Sequence, residues 1–183
     1  MKYTKDIIIK NFNRKERMKF IFFWGHRPSE DGSITKSCFS QWFDCQFNVD
    51  GVEYSTAEQY MMAQKALLFG NNIIYNEIMK ASHPKQFKSL GRMITGFDEK
   101  IWNQNKTDIV IKGNTAKFSQ NQELKYFLLC TNERILVEAS PCDNIWGIGM
   151  GADDRRCENP TLWKGENLLG FCLMEVRDII KQD

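Results

Sequence analysis

Two side chains in one stretch of this chain have the types and spacing for bond-breaking chemistry: Glu58 and Lys65, seven positions apart. Seven residues make two turns of an α-helix, so a carboxyl group and an amine would share one helical face and point into one cleft. Burial shifts both pKa values, which lets the carboxyl work as an acid or base and the neutral amine as a nucleophile. Each residue also has a plain structural reading. Ser55-Thr56-Ala57-Glu58 has the S-x-x-E form of a capping box, which would spend Glu58 on a helix start, and Lys65 could be a solvated surface lysine. Spacing alone leaves both readings open.

A second element runs from Glu138 to Gly151, where Gly147, Gly149 and Gly151 leave backbone exposed beside Trp146. That pattern suits a nucleotide, with a base on the indole and phosphate on main-chain N–H groups. The alternative is a tight bend with Trp146 in the core. Asn167 stands before the last helical stretch, where an N-cap is the simpler assignment. A Walker loop, a G-x-G-x-x-G turn, a G-x-S-x-G elbow and an H-E-x-x-H helix are all absent. His26 and His83 are the only histidines, and Ser82-His83-Pro84 reads as a turn. Catalysis therefore falls to carboxylates, lysine or backbone donors.

The elements that must position these residues are legible in outline. Ile21 to Trp24 reads as a buried strand. Cys38 to Asn48, Asp50-Gly51 and Val52 to Tyr54 read as a hairpin with its turn. A helix starts at Ser55 and stops at Gly70. Further helices are expected at Ile73–Lys80, Pro84–Gly91, Asp98–Lys112 with Trp102 on it, Ser119–Leu129 and Asn167–Ile180, with short strands at Arg134–Glu138 and Ile145–Gly149. Several helices around a few short strands make an α+β fold, expected here as a single compact domain over residues 21–183 after a basic segment, residues 1–20.

Composition narrows the class. The 183 residues are 42% hydrophobic and 26% charged, which excludes a disordered or collagenous chain. The apolar run Phe20 to Trp24 is far short of the ~20 residues of a membrane helix. The first residues lack a signal-peptide core, so a cytoplasmic protein is expected. Net charge is only +2, yet residues 1–20 hold seven basic side chains against Asp6 and Glu16. That segment reads as a solvated terminus or as a phosphate-attracting arm. Six scattered cysteines without C-x-x-C spacing read as thiols in a reducing compartment, with no metal and no cofactor expected.

Taken in order, the segments FFWGHRPSEDGSITKSCFSQWF, STAEQYMMAQKALLFG, LGRMITGFDEKIW, IKGNTAKFSQN, ILVEASPCDNIWGIGMGADDRRCENP and LWKGENLLGFCLMEVRD resemble the NADAR family of YbiA-like N-glycosidases. The resemblance spans about Phe22 to Ile180 and leaves residues 1–19 outside. It implies a helix-rich α+β domain that cleaves an N-glycosidic bond without metal or redox cofactor. The implied substrates are ribosylamino-pyrimidine phosphates of riboflavin synthesis, or ADP-ribose on guanine, the latter bringing a nucleic-acid contact. No membrane and no obligate protein partner are implied. By position, Glu58 and Lys65 become the catalytic pair. Trp24, Gly25, Trp102, Trp146, Gly147, Gly149, Asp153 and Asn167 become substrate-binding residues, and Arg92 and Lys112 the phosphate contacts. One departure stands out: Ile148 occupies the place of an acidic residue in a W-G-D-G pattern. The competing class is a non-catalytic module that binds ADP-ribose or a nucleotide and asks nothing of Glu58 and Lys65.

Overall fold

The helix that carries Glu58 and Lys65 begins later than the S-x-x-E pattern suggests. In a computed structural model, which describes residues 1–182, its N-cap is Thr56, whose side chain accepts from the Gln59 N–H. Along the chain run α1 (Lys5–Asn13), β1 (Phe20–Phe23), β2 (Phe47–Val49), β3 (Val52–Tyr54), α2 (Ala57–Leu68), α3 (Asn72–Lys80) and α4 (Pro84–Arg92). Then come α5 (Glu99–Gln120), α6 (Gln122–Leu129), β4 (Ile135–Glu138) and α7 (Leu168–Gln182). This is an α+β fold whose described residues form two compact units, Gln41–Gln122 and Met1–Ser40 with the chain from Glu123 onward.

In the unit Gln41–Gln122, α2 packs against α3, α4 and α5. Nearly every side chain from Ala57 to Ala63 is buried, so its neighbours must approach closely. Two glycines allow that approach. A Cβ on Gly113 of α5 would lie 2.4 Å from Cδ1 of Tyr60, and one on Gly91 of α4 would lie 2.2 Å from Sδ of Met62. Gly113 is thus an interior position of α5 required by its contact with Tyr60 and not a stop signal, and α5 continues to Gln120 rather than ending near Lys112 as expected. The hairpin pairs Phe47 with Tyr54 and Val49 with Val52. Asp50 and Gly51 take left-handed φ values of 54° and 82° at the expected turn.

The expected long strand from Cys38 does not form. Lys36–Phe39 is a 3-10 helix capped by Thr35, and only Phe47–Val49 joins the ladder. The backbone of the intervening chain is used elsewhere: the Gln41 carbonyl accepts from the Glu58 N–H at 2.9 Å, and the Cys45 N–H donates to the Ser55 carbonyl at 2.9 Å. These bonds satisfy orphan groups at the start of α2 instead of a strand partner.

In the other unit, β1 and β4 pair in parallel from Phe20 opposite Ile135 to Phe23 opposite Glu138, and α7 packs on β4. Phe23 faces inward onto Phe39, which in turn meets Phe127. The N-terminal segment folds into α1 instead of remaining a solvated arm. Ile8 is buried, Lys2 and Tyr3 bind Asp178 and Glu175 of α7, and the Lys5 amine donates to the Trp163 carbonyl. Lys10, Arg14, Lys15, Arg17 and Lys19 stay exposed.

Candidate functional site

Glu58 and Lys65 lie two turns apart on α2, about 10 Å along its axis. Glu58 is 5% exposed. The capping duty that its position suggested belongs to its neighbour: Oε1 of Gln59 accepts from the Ser55 N–H at 2.8 Å and the Ser55 hydroxyl at 3.0 Å. The cap is thus a Thr56–Gln59 device, one residue out of step with the S-x-x-E reading.

The Lys65 amine is half-buried and held on several sides. Its Nζ donates to the Gly91 carbonyl at 3.0 Å and lies 4.4 Å from the ring centroid of Phe97 and 5.6 Å from that of Trp102. Burial lowers its pKa from the ordinary lysine value. Gly91, Phe97 and Trp102 come from α4, the α4–α5 loop and α5, the elements that pack on or follow from α2. Arg92 is exposed on the residue next to the Gly91 carbonyl.

A buried amide pair involves Gln41, whose backbone carbonyl accepts from the Glu58 N–H. Asn114 donates to the Val110 carbonyl at 2.8 Å, which leaves its oxygen to accept from Nε2 of Gln41 at 3.1 Å. Sequence reasoning overlooked Gln41, Asn114 and Phe97. All three lie in family-like segments, but a glutamine, an asparagine and a phenylalanine carry no chemical signal of their own.

The profile of the NADAR domain matches residues 22–181. The chain belongs to the NADAR family. It is 44% identical over 168 residues to an N-glycosidase of Acanthamoeba polyphaga mimivirus, covering 89% of this chain and 97% of that protein. It is 34% identical over 140 residues to N-glycosidase YbiA of Escherichia coli (strain K12), covering 76% and 79% of the two chains. Its fold matches the NMR structure of the E. coli protein YbiA with a TM-score of 0.72 at 30% identity, over 91% of this chain and 87% of that one.

Apart from Lys112, which is on α5, the other residues singled out within the NADAR domain lie in the unit that contains β1 and β4. Trp24 is 62% exposed at the end of β1, and Gly25 follows it at a left-handed φ of 82°. Trp146 is half-buried in a loop folded on Asp143, whose carboxylate accepts from the N–H groups of Ile145 and Trp146. This loop is neither the expected strand Ile145–Gly149 nor a phosphate cradle of free N–H groups. Gly147 and Gly149 are buried, and the Ile148 and Gly149 N–H groups are bonded to the Glu138 and Asp143 carbonyls. The glycines serve backbone packing: a Cβ on Gly147 would lie 2.8 Å from the Glu138 carbonyl oxygen, and one on Gly165 would lie 2.2 Å from that of Gly147. Ile148 is fully buried, so its place in the W-G-D-G pattern is a core position here.

Asp153 is exposed. Asn167 is 0% exposed and is not a side-chain N-cap: its amide accepts from the Glu138 N–H and donates to the Leu136 carbonyl, both at 2.9 Å. Lys112 is separated from the Lys65 pocket. It sits ten residues beyond Trp102, about 15 Å along α5, and its amine pairs with Asp50 at 2.6 Å. Among the described residues no group of three or more His, Cys, Asp or Glu is arranged to hold a metal ion, and no helix is long and apolar enough to cross a membrane.

Proposed function

We propose that this NADAR protein is a hydrolase of N-glycosyl bonds that acts on a phosphorylated ribose joined to a base-like amine, with Glu58 and Lys65 as its catalytic pair. The observation that carries the reading is the Lys65 amine, desolvated beside Phe97 and Trp102 on the same helix as a buried carboxyl group. A lysine held this way keeps more of its neutral form at working pH, and one N–H bound to Gly91 leaves the nitrogen lone pair for attack.

In this mechanism Lys65 Nζ attacks the anomeric carbon as the C1–N bond to the base breaks, and the departing nitrogen takes up a proton. The transition state carries positive charge at that carbon, which the Glu58 carboxylate stabilises. The aminated sugar then opens to an imine, and water activated by Glu58 hydrolyses it, returning the free amine and the sugar. The net reaction is N-riboside plus water giving ribose and the base amine. Trp102 offers a stacking face beside Lys65, and Arg92, exposed next to the Gly91 carbonyl, offers a cation for phosphate. The cysteines stand as thiols, not disulfides, which suits action in a reducing cytosol.

Two substrate classes share this chemistry, a ribosylamino-pyrimidine phosphate and an oligonucleotide bearing ADP-ribosylated guanine. Incubation with each, followed by mass spectrometry of released base and sugar, separates them. Release from one and not the other assigns the substrate. Binding without release from both would make the protein an ADP-ribose or nucleotide-binding module.

A further inference from the structure

Phe97 has no chemical role by residue type, yet its ring covers the Lys65 amine while 46% of the residue stays exposed. Its position is not left to the loop that carries it. The ring packs on Phe69, just past the end of α2, with centroids 5.3 Å apart. The loop itself is tied down by Asn71 in the turn between α2 and α3. Oδ1 of Asn71 accepts from the Thr95 N–H at 3.1 Å and from the Thr95 hydroxyl at 2.8 Å. Its Nδ2 donates to the carbonyls of Thr95 at 2.9 Å and Phe69 at 2.8 Å. One amide thereby joins the end of α2 to the residue two positions before Phe97.

A lysine side chain has four rotatable bonds and swings into water unless something confines it. The Gly91 carbonyl fixes one N–H direction, and the Phe97 and Trp102 rings limit where the nitrogen can go. We infer that Asn71, acting through Thr95 and Phe97, positions the Lys65 amine and shields it from water. This rests on the reading of Lys65 as the nucleophile. Asn71 and Phe97 are positioning residues; only Lys65 takes part in bond making. The device also makes the α4–α5 loop one wall of the pocket, so the exposed edge of Phe97 meets whatever approaches Lys65.

The test uses the full chain with Asn71→Ala, Phe97→Ala and Phe97→Tyr. One readout is the pH profile of kcat. The other is substrate-free: labelling of Lys65 by trinitrobenzenesulfonate as a function of pH, followed by peptide mass spectrometry. Both alanine variants should lose about 10-fold in kcat with KM changed less, as expected when a reacting group is misplaced. Loss of the shield should move the ascending limb of kcat and the labelling midpoint to higher pH, and Phe97→Tyr should restore both. A labelling midpoint unchanged in both alanine variants would overturn the proposal. Should Asn71→Ala fail to fold by circular dichroism, Phe97→Ala, whose ring is partly exposed, decides alone. If Lys65→Ala keeps full turnover, the nucleophile reading fails, and the labelling profile still decides whether Asn71 and Phe97 position the amine.

Discussion

Gln59 closes the start of α2 by accepting twice from Ser55, at 2.8 Å from its N–H and 3.0 Å from its hydroxyl. Capping thus falls to Gln59 while the chemistry is proposed for its neighbour Glu58, and substitutions at the two should have opposite signatures. Glu58→Gln should lower kcat at least ~100-fold while the melting temperature changes little. Gln59→Ala removes the cap acceptor and the donor to the Ile78 carbonyl, so it should cost about 1–2 kcal/mol of stability and leave kcat close to wild type. Thermal melts and turnover measured on both variants read the division. Near-normal turnover in Glu58→Gln would take that residue out of the chemistry.

The charge state of Lys65 gives a pH signature with a definite sign. Burial is the single cause that pulls its pKa below the ordinary 10.5. A mechanism that needs the neutral amine should gain rate as pH rises through the folded-state value and level off above it. Between that value and 10.5 the unfolded chain binds a proton that the folded chain has given up, so this group makes stability rise with pH across that window. Lys65→Met should abolish the kcat limb and flatten that rise. Lys65→Arg should not rescue turnover, because a guanidinium stays charged. Borohydride added during turnover should leave a reduced sugar adduct on Lys65, found by peptide mass spectrometry.

The parts of this molecule that sequence reveals are those fixed by local chemistry. The Asp50-Gly51 turn, the Pro84 start of α4 and the seven-residue spacing of Glu58 and Lys65 all depend on near neighbours. The failures lie where backbone groups find partners far along the chain. Gln41 and Cys45 sit in an apolar, strand-like stretch, yet their backbone bonds go to Glu58 and Ser55. Ile145 to Gly149 looks like a strand until residues 164–169 supply its partners: Lys164 and Gly165 donate to Ile148, Asn167 to Gly147 and Leu169 to Trp146. The same holds at the site. Glycines beside a tryptophan fit a phosphate cradle or a tight bend by sequence. The space beside Gly147 is filled by the Glu138 and Asp143 carbonyls, and that beside Gly149 by the Asn144 and Lys164 side chains.

Phosphate binding should fall more on Arg92 than on Lys112. Arg92 follows the carbonyl that holds Lys65, whereas the Lys112 amine is already paired with Asp50 at the hairpin turn. Contacts equal in ground and transition states appear in KM. Arg92→Ala should therefore raise KM about 10-fold on a phosphorylated substrate, equivalent to ~1.4 kcal/mol, with little change in kcat. The effect should shrink on the dephosphorylated analogue. Lys112→Ala should change KM less than threefold, because it gives up an exposed ion pair of little worth. Equal losses for Arg92→Ala on both substrates would assign it to the fold or the chemistry.

Asn167 stands where family resemblance suggests a substrate contact, and its geometry points to stability instead. The residue is fully buried, its φ is 56°, and its amide bridges the Glu138 N–H and the Leu136 carbonyl of β4. Asparagine tolerates the left-handed region better than alanine does. A Cβ on Gly170, one turn into α7, would lie 2.6 Å from that amide, so the two residues fit as a pair. Asn167→Ala should leave a buried donor and a buried acceptor unmatched and add backbone strain, costing about 2–4 kcal/mol. Asn167→Asp keeps the acceptor for Glu138 and loses the donor to Leu136, placing a carboxylate against a carbonyl, so it should also destabilise the fold. Urea denaturation measures both losses. At temperatures where each variant is fully folded, KM should stay within threefold of wild type. A raised KM in a variant of undiminished stability would return Asn167 to the substrate.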